Sequence, residues 1–189
     1  MYSDDELFDV LTESGETTGQ RKRRGDIHRD GDWHASVHIW AARRRLDGME
    51  LLLQKRADSK DSYPGCFDAA STGHIDAGED AISAAIRELH EEMGVRARPS
   101  ELVLLFRRKV SEDNVFHGKR FLNNELKWVF LYKGAVPEHI IDFEQEEISA
   151  VCWQSAAEIK FALEKNDPRY CIDLQEFREV VRCAEDIMP

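Results

Sequence analysis

The stretch from Gly73 to Val95, GHIDAGEDAISAAIRELHEEMGV, sets three of its four glutamates and an apolar stripe on one short segment closed by glycines. At 3.6 residues per turn Glu88, Glu91 and Glu92 stand at i, i+3 and i+4 and share a face, while Ile82, Ala85, Ile86, Leu89 and Met93 recur as a core-facing stripe does. The spacing predicts a helix whose carboxylates point one way and whose core lies the other. Like charges four residues apart cost only about 0.2–0.5 kcal/mol per pair, so acidity alone would equally suit a solvated face. Clustered carboxylates also suit Mg2+, which keeps several waters and joins one or two carboxylates to substrate phosphates.

Outward from this segment, 189 residues with 42% hydrophobic content suffice for a sizeable core, and the length favours one domain with extensions. The expected extensions are an N-terminal segment over about residues 1–30 and C-terminal helices over about 155–188. Cys66, Cys152, Cys171 and Cys183 form no CxxC pair, and no apolar run reaches transmembrane length, so the cytoplasm is the expected compartment, without membrane. A net charge of −11 argues against a nucleic acid polymer as partner, since that surface needs clustered cations. Arg21-Lys22-Arg23-Arg24 is the one dense basic run, equally well a solvated turn.

Glu6 to Val10, followed by Glu13-Ser14-Gly15-Glu16, suggests a small N-terminal hairpin, and His34–Ala42 with Met49–Lys55 across Asp47-Gly48 suggests a second. Phe67–Thr72 reads as a short strand, and further strands are expected over Leu102–Val110, Leu126–Lys133 and Ile148–Trp153. A helix should begin at Ser155, where Ser-x-x-Glu to Glu158 is a capping box, and another should span about Asp173–Cys183. Mixed strands with a central and C-terminal helices make an α/β fold.

The order of a glycine, a glutamate six residues on, then Arg-Glu-apolar-x-Glu-Glu-x-Gly-apolar resembles the Nudix box without a departure. The resemblance implies a single Nudix domain over 1–189, an α/β/α sandwich with a mixed sheet, and a Mg2+- or Mn2+-dependent site. It gives Glu88 and Glu92 as metal ligands and Glu91 as ligand or outer partner. Arg87 and Glu79 become a mutual brace, and Gly73 and Gly94 structural positions. A late glutamate from Glu144-Gln-Glu146-Glu147 would join as ligand or base, Glu146 or Glu147 being the candidates. Glu91, Glu92 and Glu147 are thus the catalytic carboxylates.

A narrower resemblance runs through His28-RDGDW-His34, Leu51-LLQKR-ADSKDSYPG to Gly65, Ser71-Thr72-Gly73-His74 and Asn124-Glu125, which look like isopentenyl-diphosphate isomerase. It implies that His28, His34, His74 and Glu125 bind metal and that Arg24, Arg56 and Lys60 hold a diphosphate. Three departures count against isomerase chemistry: Thr72 stands at the acid-base cysteine, Glu88 where arginine is usual, and Asn123 at a paired acidic ligand. A threonine hydroxyl titrates far outside the useful range. Trp33, Phe116, Phe121 and Trp128 could line a pocket for a base or an isoprenoid, although aromatics at this density are usually core. The leading expectation is hydrolysis of a small-molecule diphosphate linked to an organic group, such as a nucleoside diphosphate derivative. The alternatives are isopentenyl-diphosphate isomerisation and a non-catalytic nucleotide-diphosphate sensor. A homodimer is compatible with the resemblance.

Overall fold

Both hairpins that the turn signals predict form. In the computed structural model, which describes residues 6–60, 62–136 and 146–188, β1 (Leu7–Leu11) pairs antiparallel with β2 (Thr17–Arg23). After a short helix α1 (Arg24–Asp30), β3 (Trp33–Arg45) pairs antiparallel with β4 (Gly48–Arg56). The expected single strand over Phe67–Thr72 is instead two: β5 (Phe67–Asp68) adds to β4, and β6 (Ser71–His74) crosses to β3. The box helix α2 (Ala81–Met93) follows. Next come β7 (Leu102–Phe116), β8 (Lys119–Tyr132) and β9 (Ile148–Ser155), then α3 (Ala156–Glu164) and α4 (Leu174–Ile187).

Strand β3 is the hub. It meets β1, β4 and β6 antiparallel and β8 in parallel over Trp33–Ala41, so the sheet is mixed. Alternation along the strands sends side chains into two cores. Val37, Ile39, Leu52 and Phe130 pack with Ala84, Ala85, Leu89 and Met93 of α2. Trp40, Leu51, Leu53 and Leu131 pack with Ile159, Phe177 and Val180 of the C-terminal helices. Sheet between helical layers is the expected α/β/α sandwich.

Local chemistry sets the helix ends. The Asp80 side chain accepts from the Ile82 and Ser83 amides, and Gly94 closes α2 at φ 65°, a left-handed conformation that glycine adopts without a Cβ clash. Ser155 accepts from the Glu158 amide and Asp173 from the Glu176 amide. Two expectations are corrected. Arg21–Arg23 lie in β2 and Arg24 opens α1 as a buried residue, so the basic run is not a turn. On α2 the carboxylates do not oppose the core: Glu88 and Glu92 turn inward beside it, Glu91 stays outside, and Ile82 is exposed.

Candidate active site

Strand β6 lies between two clusters of titratable side chains. On the α2 side, alanines at 84 and 85 let the helix approach β6 closely enough for two glutamates to reach it. A Cβ on Gly73 would stand 2.1 Å from the Glu88 carboxyl, so the glycine is the space that this carboxylate occupies. The Thr72 amide donates to Glu92 Oε2 at 3.0 Å, and Gln54 Nε2 donates to the same oxygen at 3.3 Å. Burial first, and then the neighbouring Glu92, pushes the Glu88 carboxyl above its ordinary value; Glu92 is likewise raised by burial. Two buried carboxylates on adjacent turns, cradled by a glycine, are a hard-oxygen donor set of the kind that divalent Mg2+ or Mn2+ takes, and the residues fit such an ion.

Arg87 ties this cluster to the preceding loop. It donates to both Glu79 oxygens at 3.2 and 2.9 Å, to Glu88 Oε1 at 2.7 Å, to Glu91 Oε2 at 3.1 Å and to the His74 carbonyl at 2.9 Å. The arginine therefore holds Glu88 and Glu91 as well as the Glu79 expected for it. Lys60 is buried and ion-paired with Glu147, whose carbonyl also receives the Ala57 amide. Burial, then the nearby Arg56, lowers the Lys60 ammonium, with Glu147 opposing. Arg56 donates to the Ser62 carbonyl at 3.0 and 3.2 Å and lies 3.6 Å from Asp68. Glu146 is exposed on the turn before β9, and Glu144 lies outside the described residues.

On the other side of β6, α1 and β3 bring His28 and His34 to His74. Their ligand atoms lie within 4.8 Å of one another, and Glu125 Oε1 stands 3.8 Å from His34 Nε2 and 3.5 Å from His74 Nε2. His28 thus joins the cluster from a helix six residues before His34. His28 Nδ1 lies 3.2 Å from the Leu122 carbonyl and His34 Nδ1 3.1 Å from the Asp32 carbonyl. A carbonyl only accepts, so both rings carry their proton on Nδ1 and present a bare Nε2 inward. Both Nε2 atoms are buried without a hydrogen-bond partner among the described residues. This is the arrangement of metal-binding imidazoles oriented by backbone carbonyls, so these residues also fit a cation. His74 differs: its Nδ1 is 3.1 Å from Arg24 Nη1, a pure donor, so its proton sits on Nε2 toward Glu125. Burial pushes His28 down to about 3 and lowers His34 and His74, so all three are neutral imidazoles. Burial raises the Glu125 carboxyl, but Lys127 and the histidines outweigh it and hold it well below the usual range.

A cavity of about 100 Å³ adjoins β6, lined by Thr72, Gly73 and His74 of that strand and by Arg24, Arg56 and Lys60. Sequence reasoning missed several other lining residues: Ser36, Tyr63, Glu112 and Lys127. The pairing of β3 with β8, Ser36 beside Lys127 and His34 beside Glu125, could not be read from local pattern. Of the four aromatics considered, Phe121 alone lines the cavity, stacked on His28 with ring centroids 4.1 Å apart. Trp128 lies under Arg107, and Phe116 packs edge-on to Tyr63.

A family model described as NUDIX domain matches residues 32–174. The chain belongs to the NUDIX domain family. Nudix hydrolase 3 of Arabidopsis thaliana is 41% identical over 168 residues, which is 88% of this chain and 21% of that protein. The chain therefore spans about a fifth of that relative's length. An uncharacterized Nudix hydrolase of Clostridium acetobutylicum is 32% identical over 145 residues, 77% of this chain and 68% of that protein. The fold also matches a crystal structure from Deinococcus radiodurans with a TM-score of 0.65 at 19% identity, covering 92% of this chain and 98% of that one. The isomerase-like branch within the Nudix superfamily receives no separate support from these relatives. Among the described residues, no helix is long and apolar enough to cross a membrane.

Proposed function

We propose that this Nudix chain is a metal-dependent pyrophosphohydrolase that cleaves a small diphosphate linked to an organic group, such as a nucleoside diphosphate derivative. What carries the reading is the buried Glu88–Glu92 pair, set against Thr72 and Gly73 at the wall of a cavity that Arg56 and Lys60 also line. Glu88 and Glu92, with Glu91 at the rim, would hold Mg2+ or Mn2+. Such an ion, when bound, neutralises phosphate charge and lowers the proton affinity of the attacking water. Arg24, Arg56 and Lys60 orient the diphosphate, and Glu147 fixes Lys60 in place. Water forms a bond to phosphorus as the bridging P–O bond breaks. Its proton passes to a carboxylate, and the leaving phosphate or phosphomonoester departs. Glu91, Glu92 and Glu147 are the candidate acceptors, and any of them that ligates the metal is thereby held ionised. Glu79, Arg87 and Gly94 act by holding loop and helix together. The unpaired cysteines support a cytoplasmic setting, and a homodimer is part of the same family reading.

The test is a panel of nucleoside diphosphate sugars, ADP-ribose, dinucleoside polyphosphates, nucleoside triphosphates and isoprenoid diphosphates, each with Mg2+ and Mn2+, read by product mass. Turnover of one member supports the enzyme, and binding without turnover supports the sensor instead. The imidazole cluster with Glu125 favours a second reading, isopentenyl-diphosphate isomerisation with a further cation held by His28, His34 and Glu125, and by His74 only in place of its Nε2 proton. Thr72 in place of an acid-base thiol opposes it. NMR of isopentenyl diphosphate in heavy water decides: deuterated dimethylallyl product from the unmodified protein would overturn the hydrolase reading.

A further inference from the structure

Strands β3 and β8 add polar side chains to the cationic lining of the cavity. Ser36 Oγ and Asn123 Oδ1 are buried, line the cavity and have no hydrogen-bond partner among the described residues. Lys127 joins them, with its side chain only 13% exposed and Glu125 Oε2 at 3.5 Å as its ion-pair partner. Glu125 divides its two oxygens, Oε1 toward His34 and His74 and Oε2 toward Lys127. An ammonium has three N–H groups, and one carboxylate at that distance leaves donor capacity facing the cavity. The parallel register sets Ser36 beside Lys127. His38 and Glu112 extend the polar wall, while Phe121 and the ring of Tyr63 are its aromatic parts.

Buried polar atoms without partners cost free energy that a complementary ligand recovers, whereas an apolar ligand leaves them unpaired and is rejected. We propose that Ser36, Asn123 and Lys127 form a subsite for a small hydroxylated group, polyol- or sugar-like, attached to the diphosphate, and that they exclude isoprenyl groups. A hydroxyl both donates and accepts. It can give its proton to Asn123 Oδ1 and receive one from Lys127, with Ser36 serving either role. This inference rests on the hydrolase reading for its diphosphate side and adds the selection of the organic group.

The test measures dissociation constants by calorimetry for three probes, inorganic pyrophosphate, ribose 5-diphosphate and isopentenyl diphosphate, with Ca2+ in place of Mg2+ to hold back turnover. The unmodified protein should bind ribose 5-diphosphate at least tenfold more tightly than pyrophosphate, and isopentenyl diphosphate no more tightly than pyrophosphate. Lys127→Met and Asn123→Leu should each cut the ribose advantage below threefold while leaving the pyrophosphate constant within threefold. Lys127→Arg, which keeps charge and donors, should preserve the preference. If Lys127→Met fails to fold because Glu125 is left buried, Ser36→Ala and Asn123→Leu carry the same comparison without removing a charge. Tighter binding of isopentenyl diphosphate than of pyrophosphate, or a ribose advantage untouched by the variants, overturns the subsite. Pyrophosphate bound without any preference between the two organic groups refutes the subsite alone. No binding of any probe and no turnover in the panel refutes the hydrolase reading with it.

Discussion

Replacing Gly73 by alanine isolates one geometric cause. Gly73 is not among the glycines with positive φ, so the added methyl strains no backbone and acts through space alone. Its Cβ would meet the Glu88 carboxyl at 2.1 Å, against an ordinary contact of 3.4 Å, so the carboxylate must retreat by at least 3.4 − 2.1 = 1.3 Å. That retreat pulls on the 2.7 Å bond from Arg87 Nη1 to Glu88 Oε1. Overpacking of this kind costs about 1–3 kcal/mol. At roughly 2–4 °C per kcal/mol, Tm should fall by about 2–12 °C. A displacement near 1 Å in reacting geometry costs roughly 10²-fold, so kcat/KM should drop by about that factor, with a higher Mg2+ or Mn2+ concentration for half-maximal rate. Gly73→Ala combined with Glu88→Asp withdraws the carboxylate by one methylene and should recover most of the Tm but not the rate. The assay is thermal melting beside initial rates over a metal titration. An alanine variant with unchanged Tm, unchanged metal requirement and full turnover would show that Glu88 does not work from the place where Gly73 admits it.

Glu92→Gln and Glu88→Gln should each remove most turnover, because the amide loses the charge and one strong donor oxygen, while Tm holds or rises as the mutual repulsion is relieved; full rates at limiting metal in both variants would contradict the assignment. Arg87→Ala breaks contacts to Glu79, Glu88, Glu91 and the His74 carbonyl together, so it should lower Tm by roughly 5 °C and turnover with it; lost turnover at constant Tm would instead place Arg87 on the substrate. In EDTA, stability should fall from pH 7 to pH 8. Glu88 is raised to about 8 chiefly by burial, so the fold keeps a proton that the unfolded chain, with its carboxyls near 4.5, has already lost. One retained proton corresponds to about 1 kcal/mol per pH unit, lost as pH rises through that window and level above it. The buried neutral histidines act with the opposite sign and below about pH 7, where the unfolded rings gain protons. A metal-free Tm that climbs between pH 7 and 8 would refute the raised carboxyl.

Helix α2 was legible because its signals are local: an apolar period and a glycine at 94. The inward turn of Glu88 and Glu92 was not, since periodicity assigns carboxylates to the surface and cannot see that Gly73 opens a place for one of them. Residues 111–125 are largely polar and suggested no strand, yet β7 and β8 continue through them as an antiparallel ladder. A signal was available in His117-Gly118, both with positive φ at the hairpin tip, where glycine favours the two-residue turn. That tip approaches the cavity: Tyr63 donates to Glu112 at 3.0 Å, and Asn114 donates to Tyr63 at the same distance. Helix α1 is seven residues long without an apolar period, and it is visible only through what it delivers, Arg24 and His28.

Three consecutive residues of β6 explain why two dissimilar clusters meet at one strand. The Thr72 amide fixes Glu92, Gly73 makes room for Glu88, and the His74 side chain joins His28 and His34 while its carbonyl takes Arg87. A strand sends successive side chains to opposite faces, so a site that needs carboxylates from a helix and imidazoles from elsewhere is met by a strand that uses backbone toward one and a side chain toward the other. Arg87 then couples the two, because the guanidinium that holds Glu88 also holds the carbonyl of the histidine. A substitution at position 73 or 87 should therefore disturb the imidazole cluster as well as the carboxylates. The disturbance is readable as a shift of the His28 and His34 ring resonances by NMR in Gly73→Ala. Unmoved resonances would mean that the two clusters, although joined through β6, respond independently.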